Sequence, residues 1–140
     1  MVGSSVSVGN PAVNFSSANS ITGNGTGAAI AATNKGGINV FLNSNLDLRD
    51  ADISNNTGAG LQIVMRSAVR SFATTINNNT GDGIHLIQGS ALRLDDPRVR
   101  VVGNGRFGID CADRSSSVGG DIAGVSGNGR ANIGPECRGF

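Results

Sequence analysis

His85 is the only histidine in the chain, which makes it the first candidate for chemistry. It follows Ile84, and Asp110 follows Ile109 at a distance of 25 residues. Ile84 and Ile109 close equivalent copies of a recurring nine-residue motif. If those copies lie side by side as strands, His85 and Asp110 stand about 4.8 Å apart. A histidine beside a carboxylate can act as an acid–base pair. A solvated sheet carrying an exposed His and Asp gives the same pattern, so no catalytic residue is assigned beyond these two candidates.

A second polar cluster holds Arg93, Asp95, Asp96, Arg98 and Arg100, with Asp47, Arg49, Asp50 and Arg70 in equivalent segments. Paired carboxylates can hold calcium or activate water. Here the charges alternate in sign, which favours solvated cross-strand ion pairs of small value. Asp95-Asp96-Pro97 also reads as a turn. Cys111 and Cys137 match no metal-ligand spacing and no CxxC motif. They are read as a disulfide or as two buried thiols, with the disulfide preferred. No metal site and no cofactor is expected.

These residues sit in a chain of 140 residues, enough for one domain. Val and Ile supply 23 of them, which favours strands. Gly contributes 22 and Asn 16, both turn formers. There is one Glu and one Lys, so a helical bundle or coiled coil is excluded. A net charge of +1 with no basic run gives no electrostatic case for nucleic acid. No apolar stretch reaches membrane-spanning length. Residues 1–20 lack the charged and apolar regions of a signal peptide. Trp and Tyr are absent, so sugar-stacking platforms are few. A regular Thr-x-Thr array is also missing.

The organising feature is a repeat. Ile53-Ser54-Asn55-Asn56-Thr57-Gly58-Ala59-Gly60-Leu61 matches Ile76-Asn77-Asn78-Asn79-Thr80-Gly81-Asp82-Gly83-Ile84. Further copies start at Ile30, Val101 and Val125, giving spacings of 23, 23, 25 and 24. The fourth column reads Thr33, Asn56, Asn79, Asn104 and Asn128. The eighth reads Gly37, Gly60, Gly83, Gly108 and Asn132, which suggests a sharp positive-φ turn. Six residues past the ninth come Ser44, Ser67, Ser90 and Ser115. An outlying copy is expected near Val13-Asn14-Phe15.

Each copy contains three short alternating stretches, such as Ile84-His85-Leu86, Leu92-Arg93-Leu94 and Arg100-Val101. None has hairpin spacing within its own copy. Stacked coils pair each stretch with its equivalent, giving three parallel sheets around an aliphatic core. Ile-x-Asn-Asn-x-Gly-x-Gly-Ile at 23–25 residues per coil resembles the right-handed parallel β-helix repeat of the pectate-lyase-like superfamily. The resemblance implies an all-β solenoid of about five to six coils. It also implies a ladder of stacked amides at Asn56, Asn79, Asn104 and Asn128. The superfamily includes lyases, hydrolases, epimerases, tailspikes and adhesins, and no family catalytic motif is matched here.

The expected layout is one domain, with a cap or irregular coil over 1–29, regular coils over 30–133 and a C-terminal cap over 134–140. Cys111 and Cys137 point inward, and a bulge at Gly134-Pro135 can bring them into register on adjacent coils. A disulfide there suggests an extracellular or cell-surface protein. Phe41, Val64, Ile87 and Ala112 fall at an outward position and form an apolar stripe. It is covered by the N-terminal segment, by another copy of the chain, or by a ligand. The favoured function is a non-catalytic structural or interaction module, such as part of an adhesin or tailspike-like protein. The alternative is a domain that binds or processes polysaccharide.

Overall fold

The computed structural model describes residues 5–8, 19–24 and 36–139. The strands come in threes. The first rung holds β1 (Ser5–Val8), β2 (Asn19–Thr22) and β3 (Gly36–Val40). The second holds β4 (Asn45–Arg49), β5 (Ala51–Ser54) and β6 (Ala59–Val64). The third holds β7 (Ala68–Phe72), β8 (Thr75–Asn77) and β9 (Ile84–Ile87). Then follow β10 (Ala91–Leu94), β11 (Arg100–Val102) and β12 (Phe107–Cys111), and last β13 (Ser117–Gly120), β14 (Val125–Ser126) and β15 (Ala131–Ile133). Every third strand is a neighbour, so the chain winds into three parallel five-stranded sheets. Five rungs make about four complete turns, fewer than the five to six coils expected. The outlying copy at Val13 lies outside the described residues.

Register follows the hydrophobic columns. Leu61 faces Ile84, which faces Ile109, and Ile109 faces Ile133. Ile53, Ile76 and Val101 form a second inward row. Leu46, Val69, Leu92 and Val118 form a third. Apart from Ile133, which is partly buried against the core, these side chains are almost wholly buried and make one continuous core. A parallel strand cannot pair with its sequence neighbour through a short turn, so coiling is the way such short strands bury an apolar face.

Corners are made by left-handed residues, and their positions correct the glycine expectation. Among the described residues, the positive-φ residues of the Asn corner are Gly23, Asn55, Asn78, Gly103 and Gly127, each one residue before a ladder asparagine. The eighth-position glycines are needed for space instead. A Cβ at Gly60 would stand 2.6 Å from Asn79 Nδ2 and 2.7 Å from Ile76 Cγ2. Gly37, Gly83 and Gly108 meet the same kind of neighbours. The glycine row therefore makes room for the asparagine row.

That asparagine row is a ladder. The backbone N–H and Nδ2 of Asn56 both donate to Asn79 Oδ1, at 3.0 and 2.9 Å. Asn79 repeats this onto Asn104, and Asn104 onto Asn128. Each Nδ2 also donates to a strand carbonyl, Ile53 O in the case of Asn79. At one end Asn24, not Thr33, continues the row and donates to Asn56 Oδ1 across 32 residues. Ile21 likewise faces Ile53. The first coil is thus longer than the period suggests; Ile30 and Thr33 lie outside the described residues. At the other end Asn128 donates to Asn132 of its own coil.

A shorter row of serines lies at the next corner. Ser44, Ser67, Ser90 and Ser116 are buried, and Ser90 Oγ donates to Ile87 O at 2.7 Å. Ser116 replaces the expected Ser115 because this coil carries an extra residue and Ser117 faces Ala91. Asp113 organises that corner. Its carboxylate accepts the Ser115 hydroxyl, the Gln88 backbone N–H and the backbone N–H groups of Ser115 and Ser116. The Ser115 hydroxyl and the Gln88 N–H bring its pKa down to about 2. A carboxylate depressed in the folded state stabilises it above the ordinary value near 4, and that support is lost as pH falls through about 4 toward 2. Urea midpoints at pH 6 and pH 2.5 test this. The wild type should lose more on acidification than Asp113→Asn, which should already be weaker at pH 6.

Candidate functional site

Three side chains on two adjacent rungs converge on the outer face of the sheet that contains β9 and β12. His85 lies opposite Asp110 in register, as the repeat places them. The structure adds Asp82. His85 Nδ1 is 3.3 Å from Asp82 Oδ2 and 3.3 Å from Asp110 Oδ2. It makes no aligned hydrogen bond to either. The three donor atoms lie within 4.8 Å of one another.

Asp82 is the least exposed of the three, at 4%. Its Oδ1 accepts the Phe107 backbone N–H at 3.0 Å and stands 3.6 Å from Arg106 Nε. That anchoring leaves Oδ2 toward His85. Burial alone would raise the Asp82 carboxyl, but His85, the Phe107 N–H and Arg106 outweigh it and hold it below its ordinary value. Sequence reasoning missed Asp82 although a signal was present. The seventh column reads Gly36, Ala59, Asp82, Phe107 and Ala131, and a lone carboxylate there has no packing role.

The Asp/Arg cluster holds ion pairs, but most join residues two apart in one segment. Of these pairs only Arg70–Asp95 crosses between coils, and Arg100 donates to the Pro97 and Val99 carbonyls instead. Asp95 meets Arg70 at 2.8 Å and Arg93 at 3.0 Å. Asp96 meets Arg98 at 2.7 Å, and Asp47 meets Arg49 at 3.0 Å. Arg49 and Arg70 also lie over the Phe72 ring. These arginines are at the surface, so each pair adds little stability.

The apolar stripe lies at the corner after the same sheet. Val64 faces Ile87, and Phe41, Val64 and Ile87 are each half-buried, whereas Ala112 is exposed. The residues that follow are left-handed in three successive coils: Leu42-Asn43, Met65-Arg66 and Gln88-Gly89. These bends are tied together, with Asn43 N–H donating to Met65 O and Arg66 N–H to Gln88 O. They turn Leu42 and Met65 outward, 42% and 44% exposed. A shallow open groove of about 530 Å³ runs across them from Leu42 and Asn43 through Met65 and Arg66 to Gln88, Gly89 and Ser115.

Cys111 and Cys137 are joined in the structure, with Cα atoms 4.9 Å apart. The turn from Gly134, whose carbonyl accepts the Cys137 N–H, brings them together. The bond fastens the C-terminal segment beside Asp110.

Three parallel sheets wound around one aliphatic core, with an internal asparagine ladder, define a parallel β-helix. The family described as right handed beta helix region matches residues 2–122, and the chain belongs to it. No curated protein and no solved structure matches the chain.

Proposed function

We propose that this chain is a non-catalytic structural or interaction module, of the kind that forms part of a cell-surface, adhesin or tailspike-like protein. The observation that carries this is the apolar row Phe41, Val64 and Ile87, extended by Leu42 and Met65 at its edge. A solvated sheet gains nothing from such a row, whereas a contact surface does. Tight corners support the same reading, because the described coils carry no long loops that would wall a substrate cleft. The Cys111–Cys137 bond supports placement outside the cell.

The partner proposed is a second copy of this chain. Light scattering over a concentration series should give a discrete oligomer. Leu42→Asp with Met65→Asp should return it to a monomer with the thermal midpoint unchanged within a few degrees. A wild-type monomer at every concentration would remove self-association as the role of the row.

A second reading, polysaccharide binding or processing, is favoured by His85 standing between two carboxylates. Turnover on a glycan panel that disappears in both His85→Ala and Asp110→Ala would replace the first reading with this one.

A further inference from the structure

We propose that Asp82, His85 and Asp110 bind a divalent transition-metal ion of the zinc class, clamped between the third and fourth rungs. This inference is independent of the module's partner. The sequence by itself offers no metal-ligand spacing. The third donor emerges only when the coil closes.

Distance is the first support. Around an ion with bonds to nitrogen and oxygen of about 2.0–2.1 Å, adjacent tetrahedral ligands stand about 3.3 Å apart. Both Nδ1–Oδ2 separations are 3.3 Å, while the two carboxylates lie within the 4.8 Å that spans the set and would close toward a bound ion. The same separations suit a larger ion in octahedral coordination, so distance does not choose the metal. The imidazole does. Calcium and magnesium take oxygen ligands, and an imidazole with two carboxylates suits zinc and its neighbours.

Orientation is the second support. Asp82 has one oxygen fixed by the Phe107 N–H and the other turned into the site, which is how a ligating carboxylate is usually held. His85 Nδ1 is buried without an aligned hydrogen bond, so an ion would complete contacts the protein leaves unsaturated. On the far side of Asp110 the column ends in Gly134. A Cβ there would fall 2.4 Å from Asp110 Oδ1, so glycine leaves the carboxylate its place. Arg106 opposes the ion electrostatically, but its contact is with Oδ1, the oxygen turned away from the site.

Three protein ligands leave at least one coordination position for water or an anion. The His85 side chain is 20% exposed, so that position is reachable from solvent. Because Asp82 and His85 belong to one coil and Asp110 to the next, binding would also pin the two coils together.

The chain is well suited to a direct test. It has one histidine, and both cysteines are bonded, so side-chain competitors for zinc are few. The full chain, purified without a polyhistidine tag, is titrated with ZnCl₂ by calorimetry. Thermal unfolding is followed in parallel with ZnCl₂, CaCl₂ or MgCl₂, and CoCl₂ reports coordination by its visible absorption. The expected result is one zinc ion per chain and a thermal midpoint raised by several degrees with zinc but not with calcium or magnesium. His85→Ala and His85→Gln should each lower zinc affinity at least tenfold. Asp110→Asn should do the same while circular dichroism stays that of the wild type. Absence of zinc binding to the wild type, undiminished binding in the His85 variants, or calcium binding as tight as zinc would each overturn the proposal.

Discussion

Asn79→Ala should destabilise the protein by about 4 kcal/mol, a loss on the scale of truncating a core aliphatic side chain. Asn79 Oδ1 accepts both the backbone N–H and the Nδ2 of Asn56, and Asn79 Nδ2 donates to Ile53 O and Asn104 Oδ1. Alanine removes all four bonds. It leaves the Asn56 backbone N–H buried with nothing to accept it, while Asn56 Nδ2 keeps only Ile21 O, and an orphaned buried group costs about 1–3 kcal/mol. Water cannot take over, because Asn56 and Asn79 are sealed at 0% and 1% exposure. Asn128→Ala should cost less, about 1–2 kcal/mol: Asn128 also accepts both Asn104 donors, at 3.1 and 3.0 Å, but it is only half-buried at the end of the row, so water can replace part of what is lost. Urea unfolding of the two variants checks the ranking. Equal losses at both positions would show that the side chains act singly and not as a ladder.

Gly83→Ala is the second large effect, at about 3 kcal/mol, the top of the usual range for overpacking. In a chain of this size that lowers the thermal midpoint by about 10 °C. The new methyl would stand 2.5 Å from Val101 Cγ1, 2.6 Å from Gly108 O and 2.7 Å from Asn104 Nδ2. Two of these cannot move freely. The carbonyl belongs to the next coil, whose distance is set by the strand pairing, and the amide belongs to the ladder. Gly119 is the control, because nothing lies within 4 Å of a Cβ there. Calorimetric scans of Gly83→Ala and Gly119→Ala should differ by most of that shift. A Gly83→Ala midpoint close to the wild type would mean that the coils can separate locally without cost.

Both predictions concern columns visible in the sequence, yet the reason for one column was not visible. Glycine at the eighth position suggested a positive φ, and the positive φ lies five residues earlier, at Asn55, Asn78, Gly103 and Gly127. Composition shows that a position needs glycine but not whether backbone angle or space demands it. The first coil shows a similar boundary. Periodicity put Ile30 and Thr33 in the rows, but strand pairing put Ile21 and Asn24 there, 32 residues from their partners. A longer coil breaks the regular count without breaking the stack.

What the sequence by itself determined is the set of neighbours along the stack. Residues that repeat every 23–25 positions must sit one strand apart once the coils pair. That yields the three sheets, the aliphatic core, the asparagine ladder and the place of His85 beside Asp110. The tertiary structure alone decided which side chains meet within a coil. Asp82 reaches His85 because the corner between β8 and β9 directs its carboxylate there and the Phe107 N–H holds it. Repetition fixes contacts between equivalent positions. Contacts between unlike positions depend on the backbone path around each corner, which no column of the repeat records.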